Sequence, residues 1–200
     1  MPACGAAEGR EVQEETGRSQ EVTAPAPRRF VLTGGPGVGK TTLVGCLSRL
    51  GFGMVRETAR DVIVEQRSRD SESLPWRDRI SFQLLVLEQQ LIREGRATAS
   101  IVFCDRGIPD GIAYLRIAGL PVPKPIAENA RDRYGLVFLL EPVGEVSADG
   151  VRYEDPETAA QVHALIFEVY TELGYSVIRI PALPVAARAE ILIRSTLPPI

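Results

Sequence analysis

Cysteine and histidine are scarce in this sequence, and their scarcity argues against several kinds of site. Among 200 residues there is one histidine, and there are three cysteines, Cys4, Cys46 and Cys104. An odd number of cysteines at wide spacing argues against a disulfide framework and against a zinc site. We expect Cys46 and Cys104, which lie in apolar surroundings, to pack as small hydrophobic side chains.

Long hydrophobic runs and an excess of basic residues are also missing. No stretch of about 18 apolar residues occurs, so the sequence predicts no membrane-spanning helix. The first residues contain no apolar segment typical of a signal peptide, which predicts a cytoplasmic protein. Residues 28–200 contain 21 acidic and 21 basic residues, and this balance gives no indication of nucleic-acid binding.

Residues 1–27 differ in composition from the rest of the chain. They contain five acidic and two basic residues, few large apolar side chains, and many Ala, Gly and Pro residues. A segment of this composition cannot bury enough apolar surface to offset the entropy lost on ordering. The sequence therefore predicts a disordered leader over 1–27 and one folded domain over 28–200.

From residue 28 onward, short apolar runs are separated by segments of helical periodicity. The apolar runs predict β-strands at 28–34, 51–57, 99–105, 135–141 and 175–181. The periodic segments predict helices at 39–50, 58–68, 75–95, 108–118, 125–133, 157–173 and 184–195. Strands separated by helices indicate an α/β fold, in which helices cover both faces of a five-stranded parallel sheet.

A glycine-rich segment follows the first predicted strand and precedes a predicted helix. It reads Gly34-Gly35-Pro36-Gly37-Val38-Gly39-Lys40-Thr41 and matches the phosphate-loop pattern G-x-x-x-x-G-K-S/T. Glycines let backbone N–H groups turn toward a phosphate, and the helix start adds its positive dipole end. The predicted nucleotide-binding residues are these eight and Thr42. The alternative is a glycine-rich turn that only links a strand to a helix.

Within this loop, two side chains have chemical roles. The Lys40 amino group would reach the β- and γ-phosphates of ATP, and the Thr41 hydroxyl would be a Mg²⁺ ligand. The third predicted strand has four apolar residues followed by Asp105, which is the pattern of a Walker-B element near a metal ion. ATP and Mg²⁺ are therefore the predicted cofactors, with Thr41 and Asp105 as the metal ligands.

Two other classes of phosphate-loop protein fit the sequence poorly. A GTPase switch has an Asp-x-x-Gly turn after its metal-binding strand and an Asn-Lys-x-Asp segment for guanine. Asp105 is followed by Arg-Gly-Ile, and the only lysine after the loop, Lys124, lies in PVPKPIAE. A ring-forming motor ATPase usually has a separate helical domain, for which the chain leaves little room. The size instead suits a phosphoryl-transfer enzyme with a small lid, predicted at 142–156.

Five segments carry a resemblance to a known family: TGGPGVGKTTL, VRETARDVI, PWRDRISFQ, CDRGIPDGIAYL and ELGYSVIRIP. Together they resemble bacterial AAA-domain proteins, or predicted ATPases, that are related to the ribosylnicotinamide kinase domain of the NAD regulator. The resemblance covers about 29–195. It implies a P-loop NTPase of the nucleotide-kinase type with the strand order 2-3-1-4-5.

A more distant resemblance, to deoxyribonucleoside kinases, concerns individual residues. In that family a Glu follows the second strand, a Phe-Gln pair lies on a long helix, and an acid-Arg pair ends the third strand. The corresponding residues here are Glu57, Phe82-Gln83 and Asp105-Arg106. The resemblance implies that Glu57 is the base toward the acceptor hydroxyl, that Gln83 contacts the acceptor, and that Arg106 lies near the transferred phosphoryl group.

Structural alternatives exist for these three residues. Glu57 could be a surface carboxylate paired with Arg56 or Arg60. Gln83 could be an amide on a helix face, and Arg106 could belong to a structural salt bridge.

Three further residues, Arg60, Trp76 and Asp110, are predicted to bind the acceptor together with Glu57 and Gln83. Trp76 would stack on the acceptor or, alternatively, pack at a helix start. Asp110 is either a second polar group at the mouth of the site or a turn residue before a glycine.

The predicted lid and the single histidine complete the set of candidates. The lid at 142–156 contains one arginine, Arg152, whereas nucleoside-kinase lids usually carry several. Arg131 and Arg133 would compensate if the preceding helix folds over the site. His163 lies beside the apolar stripe of its helix, so we expect it to be solvated.

These observations predict an ATP-dependent enzyme that transfers the γ-phosphoryl group to a hydroxyl of a small, nucleoside-like acceptor. Two alternatives remain open: an ATPase coupled to a protein partner, and a nucleotide sensor without turnover. ATP turnover with and without a panel of metabolites distinguishes the three.

Overall fold

Each strand is followed by one or two helices in the part of the chain that the computed structural model describes, residues 27–142 and 156–197. The strands are β1 (Arg28–Thr33), β2 (Gly53–Val55), β3 (Ile101–Asp105), β4 (Leu136–Leu140) and β5 (Val177–Ile180). The helices are α1 (Lys40–Arg49), α2 (Thr58–Ser68), α3 (Arg79–Arg96), α4 (Ile108–Ile117), α5 (Lys124–Asn129), α6 (Pro156–Glu172) and α7 (Val185–Thr196).

The five strands form one parallel sheet in the order β2-β3-β1-β4-β5, which confirms the predicted order. Strand β1 is central: Arg28 lies opposite Ile101 of β3, and Phe30 lies opposite Leu136 of β4. The strand order reverses on the two sides of β1. In open parallel sheets, ligands bind at the carboxyl edge where such a reversal occurs. The segment that follows β1 is therefore at the position expected for a binding loop.

The sheet separates two apolar clusters, because side chains of β1 alternate between its faces. Val31 packs in the cluster beneath α3, α4 and α6, whereas Phe30 and Leu32 pack in the cluster beneath α1 and α7. Burial on both faces explains why the strands are continuous apolar runs rather than alternating ones. This confirms the predicted helical cover on both faces of the sheet.

Helix α3 begins four residues later than the sequence indicates. Pro75 was expected near its first turn, but the helix begins at Arg79. The carboxylate of Asp78 accepts a hydrogen bond from the Ser81 amide at 3.0 Å, so Asp78 is the N-cap. Pro75 and Trp76 therefore lie in the turn that precedes α3.

Two predictions fall mainly outside the described residues. They are the leader over 1–27 and the lid over 142–156, with Arg152. Among the helices that are described, none has both the length and the apolar character to cross a membrane.

Candidate active site

The glycine-rich segment passes closely over the end of β4. Gly34 and Gly39 have φ angles of 135° and 82°, in the region that favours glycine. A Cβ atom on Gly34 would lie 2.7 Å from the carbonyl oxygen of Leu140. The positive φ angles favour glycine at both positions, and the close approach of β4 excludes a side chain at Gly34.

The Lys40 side chain folds back over this loop. Its amino group donates hydrogen bonds to the carbonyl oxygens of Gly34 and Gly35 at 3.1 and 2.9 Å. Burial, and then the nearby charge of Arg106, lower the pKa of Lys40 to about 7. A phosphate group in the loop would favour the charged amine, because an adjacent negative charge stabilises it. The lysine therefore lies against the loop, and its contact with phosphate stays a prediction.

Asp105 is a buried carboxylate next to the start of the loop. It ends β3 and lies opposite Leu32 of β1. Its side chain is almost inaccessible, and among the described residues its Oδ1 atom has no hydrogen-bond partner. Burial and the charge of Glu57 raise the pKa of Asp105 to about 6. An unpartnered buried carboxylate oxygen is costly unless a donor or a cation completes the site.

The residues near the loop fit a Mg²⁺ ion. Mg²⁺ commonly uses one or two protein oxygen ligands together with substrate phosphates and waters. Asp105 supplies a carboxylate oxygen without a partner in the described part of the chain. Thr41, the second residue of α1, presents an exposed side chain. Their assignment as metal ligands stays a prediction, supported by the chemistry of the two groups.

Arg106 joins two carboxylates across the site. Its Nε atom donates to Oε1 of Glu57 at 3.0 Å, and a terminal nitrogen donates to Oδ1 of Asp110 at 2.9 Å. The backbone of Arg106 has a φ angle of 70°, and its amide donates to the Leu32 carbonyl at 2.9 Å. A left-handed conformation in a residue other than glycine costs about 1–2 kcal/mol. Such strain is found mainly where it holds a functional group in place.

Glu57 lies between two guanidinium groups. Its second oxygen, Oε2, is 3.0 Å from Nε of Arg60. Burial alone would raise the pKa of Glu57, but the charges of Arg106, Lys40 and Arg60 outweigh it and hold the pKa below its ordinary value. The ion pair with Arg60, which was the structural alternative for Glu57, is formed by one carboxylate oxygen, Oε2. The other oxygen accepts from Arg106, the residue that the kinase resemblance places near the transferred phosphoryl group.

Asp110 fixes the loop that carries Arg106. Besides Arg106, its carboxylate accepts hydrogen bonds from the Thr33 hydroxyl at 2.6 Å, the Gly107 amide at 3.1 Å and the Tyr170 hydroxyl at 2.8 Å. Four donors occupy its two oxygens. Asp110 borders the cleft, but this arrangement favours a positioning role over direct binding of the acceptor.

A cleft of about 1170 Å³ opens beside the phosphate loop. The predicted acceptor residues all line it: Glu57, Arg60, Trp76, Gln83 and Asp110. Gln83 is buried, and it packs so close to α4 that its Oε1 atom would lie 2.8 Å from a Cβ atom placed on Gly111. Trp76 is half-exposed at the rim. The structure brings these residues together, and their roles toward an acceptor stay predictions.

Other arginines are arranged differently from the sequence expectation. Arg131 and Arg133 do not line the cleft, and Nε of Arg133 lies 3.5 Å from Oε2 of Glu94.

Two arginines that the sequence analysis did not single out, Arg67 and Arg79, do line the cleft. Arg79 donates to the carbonyl oxygens of Pro75 and Tyr114, which ties the turn before α3 to α4. No local motif marks either residue, but Arg67 lies seven residues after Arg60 and therefore on the same face of α2.

His163 contacts the phosphate loop, so the prediction that it is solvated is wrong. Its Nδ1 atom accepts a hydrogen bond from the Gly35 amide at 3.2 Å, and its Nε2 atom lies 3.3 Å from Oε2 of Glu141. Helix α6 packs so closely that a Cβ on Gly35 would lie 2.9 Å from the Ala159 carbonyl. The apolar stripe of α6 shows which face meets the sheet, but not that its flank meets this loop.

The contact with Gly35 predicts a pH dependence of stability. Nδ1 can accept the amide hydrogen only when it carries no proton. Burial lowers the pKa of His163 and outweighs the opposing charge of Glu141, while Arg179 and Lys40 lower it further. The stability that neutral His163 contributes is therefore present above its ordinary pKa of 6.5 and is lost as the pH falls through the lowered value.

The replacement His163→Gln keeps a hydrogen-bond acceptor but does not titrate in this range. We expect the Tm of the wild-type protein to decline more steeply than that of the variant as the pH is lowered from about 7 to about 5. Differential scanning fluorimetry without nucleotide measures this difference. Parallel declines in the two proteins would show that His163 does not titrate against the loop.

A five-stranded parallel sheet in this order, with the glycine-rich loop after its central strand, is the P-loop fold of the nucleotide-kinase type. The family described as AAA domain matches residues 29–188. The match covers most of the chain, so the protein belongs to this AAA-domain family. A search of curated protein sequences gave no significant match.

Solved structures share the fold at low sequence identity. NadR protein in complex with NR has 20% identity and a TM-score of 0.59 over 78% of this chain. Thymidylate kinase from Ehrlichia chaffeensis has 16% identity and a TM-score of 0.60, over 86% of this chain and 100% of that one. Deoxyadenosine kinase from M. mycoides has 15% identity and a TM-score of 0.58, over 84% and 97%. This chain spans 46% of the NadR chain.

Proposed function

We propose that the protein is an ATP-dependent kinase that transfers the γ-phosphoryl group to a hydroxyl of a small, nucleoside-like acceptor. The observation that carries this proposal is the position of Glu57. Its carboxylate lies in the cleft beside the phosphate loop, hydrogen-bonded to Arg106, and the remaining cleft extends beyond it. A nucleotide in the loop and an acceptor in the cleft would meet at this carboxylate.

The chain provides the groups that phosphoryl transfer requires. The acceptor oxygen would form a bond to the γ-phosphorus while the bond to the oxygen of the leaving ADP breaks. Lys40 and Arg106 would stabilise the negative charge on the transferred group, and Glu57 would accept the proton from the acceptor hydroxyl. A Mg²⁺ ion held by Thr41 and Asp105 would neutralise charge on the β- and γ-phosphates.

Several features of the cleft favour a small acceptor over a protein partner. Gln83 contributes a buried amide to its lining, and Phe82 and Leu87 contribute apolar side chains. Ligand pockets typically combine apolar walls with a few fixed polar groups. The likeness of the fold to nucleoside and nucleotide kinases further supports the proposal.

Turnover of ATP by the full chain, with and without a panel of acceptors, tests this function. The panel contains nucleosides, ribosylnicotinamide and nucleoside monophosphates, and both ADP and the phosphorylated product are measured by mass spectrometry. We expect low basal hydrolysis, and stimulation of ADP formation by tenfold or more with one class of acceptor. The Lys40→Ala variant should lose this activity with an unchanged far-UV spectrum, because the lysine acts as a point charge toward phosphate.

The two alternative functions give different results. Hydrolysis that no acceptor stimulates would indicate an ATPase coupled to a partner. Nucleotide binding without any turnover would indicate a sensor. Either result would overturn the proposed kinase activity.

A further inference from the structure

Four buried polar side chains form a continuous hydrogen-bonded chain at the wall of the cleft, and two of them, Thr58 and Gln90, line the cleft. The Thr58 hydroxyl donates to Oε1 of Gln90 at 2.6 Å, and Nε2 of Gln90 donates to Oε1 of Glu94 at 2.9 Å. The Tyr134 hydroxyl donates to the same oxygen of Glu94 at 2.8 Å. None of the four is more than 7% exposed. We call this set, Thr58, Gln90, Glu94 and Tyr134, the buried polar chain.

The direction of each hydrogen bond is fixed by chemistry. The carboxylate of Glu94 only accepts hydrogen bonds, so the amide nitrogen of Gln90 must face it. The carbonyl oxygen of Gln90 then faces Thr58, whose hydroxyl must be the donor. Loss of the Thr58 hydroxyl would therefore leave Oε1 of Gln90 buried without its hydrogen-bond donor.

The buried polar chain touches the backbone on both sides of the proposed reaction centre. Thr58 directly follows Glu57 and begins α2. The amide nitrogen of Gln90 also lies 3.4 Å from the carbonyl oxygen of Arg106, and the Tyr134 hydroxyl accepts from the Ile108 amide at 3.0 Å. One set of side chains thus links the segments that carry Glu57 and Arg106.

Packing alone does not account for this arrangement. Replacing buried polar groups by apolar groups of the same shape is often neutral or stabilising. The left-handed backbone of Arg106 also needs contacts that hold it, because the strain persists only where surrounding structure fixes it. The amide of Arg106 is held by Leu32, and its carbonyl oxygen is held by Gln90.

We propose that Gln90 is a positioning residue: by linking Thr58 to the Arg106 carbonyl, it holds Glu57 and Arg106 in the geometry required for phosphoryl transfer. The catalytic part of this inference rests on the proposed kinase function. The structural part, control of the contact between Glu57 and Arg106, does not.

Thr58 offers a matched pair of variants that tests the hydrogen bond itself. Thr58→Val removes the hydroxyl at nearly constant shape, whereas Thr58→Ser keeps it. We expect Thr58→Val and Gln90→Leu to lower kcat about tenfold to a hundredfold, because small displacements of reacting groups have effects of this size. ATP affinity should stay within about threefold in both variants, and Thr58→Ser should retain most of the wild-type kcat.

A double-mutant cycle separates positioning from a general loss of folding. Because Gln90 is proposed to hold both Glu57 and Arg106, its replacement should lower activity by a smaller factor once Glu57 has been changed to Gln. If the Gln90 replacement only weakened the fold, it would lower activity by the same factor with Glu or with Gln at position 57. Equal factors in the cycle, or loss of activity in Thr58→Ser as severe as in Thr58→Val, would overturn the proposal.

A spectroscopic readout keeps this test independent of the reaction. The Nε–H resonance of Arg106 in a ¹⁵N-labelled protein reports its hydrogen bond to Glu57. It should shift in Gln90→Leu and Thr58→Val, but not in Thr58→Ser, even if no acceptor is ever phosphorylated. An unchanged resonance in Gln90→Leu and Thr58→Val would refute the positioning role whatever the reaction is.

Discussion

Replacement of Glu57 by glutamine should lower kcat for phosphoryl transfer by about 10²–10⁴-fold, the usual contribution of a positioned general base. Glutamine keeps the size of the side chain and can still accept a hydrogen bond from Arg106, but it cannot take a proton at neutral pH. ATP affinity should stay within about threefold, because the phosphate loop is unaffected. Product formation on the identified acceptor, rather than release of phosphate, is the quantity to measure.

Helix α2, which begins directly after Glu57, supplies a matched control for this variant. Glu65 on α2 forms an exposed salt bridge with Arg69 at 2.7 Å and does not line the cleft. Exposed pairs of this kind contribute about 0–1 kcal/mol, so Glu65→Gln should leave both turnover and stability nearly unchanged. Full activity of Glu57→Gln on the acceptor would eliminate Glu57 as the base, and with it the main reason to prefer a kinase over a hydrolase.

The Asp105→Asn replacement should have opposite effects on function and on stability. If Asp105 is a Mg²⁺ ligand, the neutral amide should weaken Mg²⁺-dependent ATP binding and lower turnover by tenfold or more. Without nucleotide, however, the variant should melt at a higher temperature at neutral pH. Burial and the charge of Glu57 raise the pKa of Asp105 to about 6, so its ionised form opposes folding.

The sign of the pH dependence follows from this raised pKa. Between the ordinary pKa of 3.8 and the raised value, the folded protein binds more protons at Asp105 than the unfolded chain does. This group therefore makes wild-type stability fall as the pH rises through that range, and asparagine removes the effect. The Tm of Asp105→Asn should therefore exceed that of the wild type by more at a pH of about 7.5 than at a pH of about 5.

An exposed aspartate provides the control for the stability measurement. Asp61 on α2 is paired with Arg93 at 2.7 Å at the surface. The Asp61→Asn variant should change neither the Mg²⁺ dependence nor the Tm by a comparable amount. If the Tm of Asp105→Asn is below that of the wild type at both pH values, the prediction is wrong. Groups of the chain itself then stabilise the ionised carboxylate of Asp105 in the folded protein.

Local patterns predicted the phosphate loop and the strand that ends in Asp105, because both depend on residues adjacent in sequence. The resemblance to kinases predicted the strand order, which the structure confirms. It also singled out Glu57 and Arg106, which lie 49 residues apart and form a direct hydrogen bond. Their catalytic roles stay predictions until the variants are measured.

Contacts between distant segments could not be predicted from the sequence. His163 reaches an amide 128 residues away, and the four donors to Asp110 come from three different parts of the chain. Hydrophobic periodicity shows which helix face is apolar, but it does not show what lies beside that face. The late start of α3 was missed because Pro75 was favoured as a start signal over Asp78, which is the actual cap.

The central position of β1 has a consequence for the order in which the protein can fold during synthesis. Its partner β3 begins 73 residues later, where Ile101 pairs with Arg28, and β4 follows later still. At about 5–20 residues per second, a ribosome needs roughly 4 to 15 s to make the segment between them. Until then, the strand that precedes the phosphate loop has no neighbour in the sheet. The nascent chain should therefore gain affinity for nucleotide late, only after β3 and β4 have emerged and docked on either side of β1.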